Sequence, residues 1–302
     1  MNCVGVLPDG GLLALPAPVR LRLRSEEGAP ADSLEARFPA FPGVGTLCGV
    51  RCYGDDGALL FDGIVDEQAG EETAAGAVAE LSARSRAALL LDNEARPQTY
   101  YMPSLKLLFE RHAAPYGFTG YLGRDEVFGG AYTVEKGMSE WQALEGFCKK
   151  YLGVSPVARG AVLDASGAGQ AGQMAFSNAG GVPFLEMRTA WKDVYRLSEL
   201  RMRSGGQGNY TAVLQDADAL ARGVKRRRFL SGADAERAER LLEQVRKKAF
   251  AVQVTCPGAV CPLVGTTARV DGREGLYVSA WDYVLSGAGE TCKVTLRQKE
   301  DN

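Results

Sequence analysis

Between Val19 and Arg24 the chain alternates strictly, with apolar Val19, Leu21 and Leu23 separated by Arg20, Arg22 and Arg24. Successive side chains on a β-strand point to opposite faces, so a period of two sends one set to a core and the other to solvent. That is the signature of an antiparallel sheet with one wet face. The pattern recurs where Leu200 and Met202 interleave with Arg201 and Arg203. Further strand-like runs cover Leu34 to Phe38, Leu47 to Tyr53, Leu59 to Val65 and Val78 to Leu91, separated by turn formers such as the Asp-Asp-Gly at 55–57. Together they predict a small β-barrel or sandwich at the start of the chain. Strands are predicted again at Asn209 to Leu214, Arg228 to Leu230, Phe250 to Thr255, Gly275 to Leu285 and Thr291 to Arg297, the last two joined by a Ser-Gly-Ala-Gly turn.

The middle changes period. Pro103 and Ser104 open a helix with Leu105, Leu108, Phe109 and His112 on one face, and Pro115 with Gly117 closes it. A second helix begins at Ser139, which has capping-box spacing to Gln142, and carries Trp141, Leu144, Cys148 and Tyr151 as its stripe before Gly153 stops it. Ala158 to Gly181 is rich in Gly, Ala and Ser and predicts a hairpin tip or mobile connection, not a packed element. Ser231 and Asp234 mark a third helix running to about Ala249, with Ala238, Leu241, Leu242 and Val245 turned to a sheet. The fold class expected is therefore mainly β with an α/β insertion, divided into 1–95, 96–190 and 191–302.

Composition removes several function classes. Lys plus Arg number 35 against 37 acids, so no global field draws the chain to nucleic acid or an anionic membrane. The start, MNCVGVLPDGG, lacks a basic leader, and the longest apolar runs, such as Ala87 to Leu91, fall far short of the roughly 20 residues that span a bilayer. Folding in the cytoplasm without membrane insertion is expected. Seven scattered cysteines read as reduced core thiols, and Cys48, Cys52, Cys256 and Cys261 lack the spacing of a zinc knuckle. The single histidine, His112, sits on the buried face of its helix and reads as a core or interface group. Asp62, Asp66 and Glu67, or Asp92 with Glu94, are the available carboxylates for glycosidase chemistry, but no motif supports them. Arg222 with Lys225 to Arg228 forms the densest basic patch, without interleaved aromatics to stack on bases, and reads as a solvated or subunit-facing strand. No catalytic residue, cofactor or metal is expected.

One family resemblance covers most of the chain. The order of LLLDNEA, the helix SLKLLFERHAAPYGF and KGMSEWQALEGFCKKYLG, followed by GGVPFLEMRTAWKDVYRLSELRMR, GVKRRRFL and EGLYVSAWDYVLSGAGETCKVTLR, resembles the late control protein D family of phage tail baseplate hubs. The resemblance implies two tail-tube-like β-barrel domains flanking a small α/β centre, in a homotrimer whose six barrels match a threefold spike to a sixfold tube. It implies a tail tube protein above, a central spike protein below, other baseplate proteins around, and nucleic acid only in transit through the lumen. The place implied is the baseplate of a virion or phage-like particle assembled in the bacterial cytoplasm. Arg20, Arg22, Arg24, Arg201, Arg203, Arg226 and Arg227 are the expected subunit or lumen contacts. Tyr132 to Tyr151 also resembles the opening of a lysin motif, which would imply glycan binding; a wall-binding or peptidoglycan-hydrolase protein is the alternative.

Overall fold

The computed structural model of the chain describes residues 1–74, 76–167, 170–203 and 209–298. Two compact units emerge. The first comprises Met1–Gln170, Pro257–Val264 and Ala280–Cys292; the second comprises Ala171–Cys256, Gly265–Ser279 and the described residues from Lys293 onward. In chain order the first unit contains strands β1 (Asn2–Val6), β2 (Leu12–Ala14), β3 (Arg20–Glu26), β4 (Ser33–Pro39), β5 (Gly49–Tyr53), β6 (Leu59–Thr73) and β7 (Gly76–Ser85). Helix α1 (Ala88–Asp92), β8 (Gln98–Tyr101), α2 (Leu105–His112), β9 (Gly120–Leu122), β10 (Ala131–Val134), α3 (Glu140–Phe147), β11 (Val157–Arg159) and β12 (Val162–Asp164) complete its continuous part. From Gln170 onward run β13 (Gln170–Phe176), β14 (Glu186–Trp191), β15 (Glu199–Met202), β16 (Ala212–Gln215), α4 (Ala217–Ala221), β17 (Arg227–Leu230), α5 (Ala238–Ala249), β18 (Phe250–Pro257), β19 (Thr266–Val270), β20 (Arg273–Ser286) and β21 (Gly289–Gln298).

The first unit is built on an antiparallel sheet in the order β20-β3-β4-β7-β6-β5-β1-β2, to which β20 contributes its segment from Ala280. Leu21 lies opposite Ala36 and Leu23 opposite Leu34, while Leu34, Ala36 and Phe38 lie opposite Ala83, Leu81 and Ala79. All eight are buried. Large side chains thus face small ones across β4 and β7, which lets the row interdigitate at interior density. The intervening positions turn outward: Arg20 and Arg24 are exposed and Arg22 half-buried, as the alternation requires.

A second core in this unit gathers Leu90, Tyr100, Leu105, Leu108, Phe109, Tyr132, Trp141, Leu144, Phe147, Cys148 and Leu163. Both middle helices form for the reasons their sequence gives. Ser104 Oγ accepts the Leu107 N–H at 3.2 Å, and Ser139 and Gln142 make the reciprocal capping box, with Oγ accepting from Gln142 N at 3.2 Å and Oε1 accepting from Ser139 N at 2.8 Å. After α3 the chain widens into a π-turn over Cys148–Leu152, ended by Gly153 in the left-handed region at φ 73°.

In the second unit, β14, β18 and β21 are successive neighbours, β19 joins β13 to β20, and β15 is the centre of a separate sheet ordered β16-β15-β17. The amphipathic α5 lays Ala238 and Leu242 on Leu200 and Leu230 of that sheet, with Leu241 and Val245 at the margin. The turn before it is a 3-10 helix over Gly232–Arg237 that Ser231 does not cap through its side chain; the Asp234 side chain lies outside the described residues.

The mainly-β architecture with an α/β insertion stands, with three corrections of detail. Val78 to Leu91 is not one strand: β7 ends at Ser85, and Ala88–Asp92 is helical, closed by Asn93 Nδ2 donating to the Leu89 carbonyl at 2.8 Å. A short apolar run carries no period that separates strand from helix, and Ala and Leu favour the helix. The Gly-rich stretch is packed, because β11 and β12 form a hairpin, β12 runs parallel to β9, and Leu163 and Ala165 are buried; positions 168–169 within it lie outside the described residues. The strands also make open sheets. Among the described residues no pairing joins β2 back to β20, or β13 to β14, so no closed barrel forms.

Two substitutions calibrate the α/β core by urea unfolding. Leu144→Ala, at a fully buried site, is expected to cost about 3 kcal/mol, and Ser139→Ala, which loses the cap, about 1 kcal/mol.

Candidate functional site: the charged sheet faces

The outward face of β3, β4, β6 and β7 is a lattice of opposite charges. Arg22 donates from Nε and Nη2 to both carboxylate oxygens of Asp282 on β20, at 2.8 and 2.6 Å, and Arg24 Nε stands 3.9 Å from the same carboxylate. The bidentate contact raises the Arg22 pKa further above its ordinary value. Arg37 donates to Glu71 at 2.8 Å and lies 3.5 Å from Glu80. Arg20 sits directly opposite Arg37 in the ladder, an arrangement that is destabilising unless acids intervene. Glu71 and Glu80 occupy Arg37, and Arg20 has no ion pair among the described residues. Arg20, Arg22, Glu35, Arg37, Glu67 and Glu80 surround an open groove of about 330 Å³.

The remaining four arginines fall on the second unit. Arg201 Nε donates to Glu199 Oε1, holding the Glu199 carboxyl below its usual range, and Arg227 Nε lies 3.9 Å from the same oxygen. Arg226 Nη1 donates to the Asp193 carbonyl at 2.7 Å, and Arg203 is exposed at the end of β15. Neighbouring acids also hold Arg222 of the basic run and two further arginines of this unit. Arg222 pairs with Asp218 at 3.2 Å, buried Arg196 contacts Asp218 at 2.6 Å, and Arg246 contacts the buried Asp216 at 2.7 Å. The seven expected arginines therefore divide three and four between the units. Sequence reasoning missed their acidic partners: Asp282 and Glu199 occupy ordinary polar positions of strands, and only the register shows which arginine each meets. It also missed that Phe229 packs edge-on against Tyr210 at 5.1 Å beside the basic strand.

Of the carboxylates weighed for hydrolysis, all but Glu67 are tied up in ion pairs. Arg84 holds Asp66 at 2.7 Å and Asp92 at 2.7 Å, Arg51 meets Asp62 at 3.2 Å, and Lys136 meets Glu94 at 2.6 Å. Hydrogen bonding from Arg84 keeps the Asp92 carboxyl below its usual range, and Lys136 does the same for Glu94. A glycosidase general acid needs the opposite shift. His112 lies in the core: its Nδ1 is 2.5 Å from Glu140 Oε2 and its Nε2 is 2.9 Å from the Tyr100 hydroxyl, while Tyr116 donates to Glu140 Oε1 at 3.0 Å. The cluster satisfies three buried polar groups, on Tyr100, His112 and Glu140, together with the half-buried Tyr116. Of the lysin-motif resemblance, the strand and helix are present as β10 and α3, but β10 pairs antiparallel with β8, and β11 follows the π-turn where a second helix would stand. Among the described residues no three His, Cys, Asp or Glu side chains cluster as metal ligands, and no helix is long and apolar enough to cross a membrane.

No protein-family model matches the sequence, and no curated protein sequence matches it. Solved structures do match in fold. A tail protein from Neisseria meningitidis superposes with a TM-score of 0.76 at 19% identity, covering 98% of this chain and 96% of that one. A prophage tail protein from Shewanella oneidensis gives 0.78 at 15% identity, over 99% and 98% of the two chains. An E. coli type VI secretion component, itself described as similar to T4 bacteriophage tail proteins, gives 0.59 at 10% identity over 100% of this chain and 75% of that one. The chain thus has the fold of phage and prophage tail proteins, a fold that extends to type VI secretion.

Two measurements test these electrostatics. A double-mutant cycle on Arg22→Ala and Asp282→Ala is expected to give a coupling of about 1 kcal/mol that weakens with salt. Burial alone would raise the Asp216 pKa, but donation from Arg246 and from Ala219 N–H outweighs it, and the carboxyl titrates below its ordinary range. A depressed folded-state pKa stabilises above the unfolded value of about 4 and is lost as pH falls through the folded value. Thermal scans between pH 5 and 2 are therefore expected to show a steeper loss below about pH 4 for the parent chain than for Asp216→Asn.

Proposed function

We propose that this chain is a structural subunit of a phage tail or tail-like injection particle, working as the baseplate hub that joins a tail tube to a central spike. The observation that carries the reading is the fold match along nearly the full length of two tail proteins, at TM-scores of 0.76 and 0.78. Charge supports it: strand faces carry ordered ion pairs, and the acids considered for catalysis, Glu67 apart, are held in salt bridges. Such faces suit specific contact between subunits, since complementary charge fixes register and excludes wrong partners.

On this reading 1–95 and 191–302 are the two ring-forming modules and 96–190 is the α/β centre between them in sequence. Three copies supply six modules, which adapts a threefold spike to a sixfold tube without new surface chemistry. The tube protein sits above, the spike below and other baseplate proteins around, with nucleic acid only passing through the lumen. The hub needs no cofactor and has no enzymatic task. Arg22, Arg24, Arg201 and Arg227 already have acidic partners within the chain and Arg226 bonds the Asp193 carbonyl, so Arg20 and Arg203 are left to meet neighbouring subunits or the lumen. Assembly is placed in the bacterial cytoplasm and the finished position in the particle baseplate.

Mass photometry on the purified chain, alone and with its tube and spike partners, is expected to show a trimer that binds both. Arg20→Glu is expected to weaken that trimer at least tenfold in dissociation constant. A persistent monomer that clears cell-wall suspensions or is retained on peptidoglycan would contradict the hub and favour the wall-directed alternative.

A further inference from the structure

Cys3 on β1 and Cys52 on β5 are direct partners in the antiparallel ladder, with their sulfurs 3.3 Å apart. Both are buried. The Cys3 carbonyl accepts from Leu15 N at 3.1 Å, which turns its main chain toward β2 and away from β5. Cys3 and Cys52 are therefore a non-hydrogen-bonded pair, the kind whose Cα atoms stand only about 4.5 Å apart and whose side chains are closest. A disulfide spans Cα separations of roughly 4.4–6.8 Å, so the backbone is already placed for one. Reaching a bond of about 2.05 Å needs a closure of about 1.3 Å, shared by two side chains. The thiol–thiol hydrogen bond lowers the Cys3 pKa and raises that of Cys52, which makes Cys3 the sulfur that ionises first.

We propose that Cys3 and Cys52 form an oxidation site: exchange with a small-molecule disulfide closes a cross-strand bond that staples β1 to β5. Access comes by fraying of β1 together with its three-residue edge neighbour β2, the low-stability end of that sheet. The Cys3 thiolate attacks one sulfur of the incoming disulfide and expels one small thiolate, leaving a mixed disulfide. The Cys52 thiolate then attacks the Cys3 sulfur and expels the second. Two protein thiols lose two protons and two electrons, and one external disulfide becomes two thiols. The cytoplasm keeps the pair reduced, and an oxidising exterior closes it.

The test uses the full chain carrying Cys48→Ser, which removes the exposed thiol nearest in sequence. The protein is incubated natively with oxidised glutathione, acid-quenched, unfolded, alkylated and mapped by mass spectrometry. The expected product is a Cys3–Cys52 cross-linked peptide two hydrogens lighter than its parts, with a thermal midpoint raised by about 5 °C or more over the dithiothreitol-treated sample. Addition of Cys52→Ser, or of Cys3→Ser should the former not fold, is expected to abolish both. Full alkylation of Cys3 and Cys52 after oxidation, pairing of either with another cysteine, arrest at the glutathione adduct, or a bond that leaves the midpoint unchanged would overturn the proposal.

Discussion

The first unit depends on one contact surface, the apolar row that β3, β4 and β7 build from Leu21, Leu23, Leu34, Ala36, Phe38, Ala79, Leu81 and Ala83. Because the side-chain period is two, the register that closes this row also fixes every outward residue. A slip of one position would bury Arg20, Arg22 and Arg24 without partners, and an uncompensated buried charge costs several kcal/mol. Core and charged face are therefore one decision, taken by the alternation.

The charged face follows the same economy at the level of the whole molecule. The net charge of −2 reflects 35 Lys and Arg against 37 acids, and on the outward face of the first unit those charges are arranged as pairs. Pairing of this kind contributes little to stability at exposed positions, so its value lies in the pattern it displays. On that face Arg20, directly across the ladder from Arg37, has no ion pair among the described residues. A structural component that must recognise copies of itself and a few fixed neighbours has use for such a patterned face; the carboxylates most open to a catalytic reading are instead clamped by Arg84, Arg51 and Lys136.

Much of this was legible in the residues. The alternation from Arg20 to Arg24, the Ser139–Gln142 capping box and the α5 stripe each encode a local structure by spacing alone and form as read, whereas Val19, read as facing the core, precedes β3 and is exposed. What stayed hidden depends on partners far along the chain. The polar half of β6, Glu67 to Thr73, shows no apolar period and is a strand only because β7 pairs with it through main-chain hydrogen bonds. Ala88–Asp92 looks like a strand until its packing on the α/β core is known. Asp282 is 260 residues from Arg22, and no local rule joins them. The open edges of the sheets were likewise invisible, since closure is a property of pairing between the first and last strands.

The alternating row itself is most directly tested by native-state hydrogen exchange read by mass spectrometry. The account predicts that the paired amides of β3, β4 and β7 exchange slowest in the first unit, at the rate of global unfolding, while those of β2 exchange by local fraying. Exchange in β3 and β4 as fast as in β2 would contradict it.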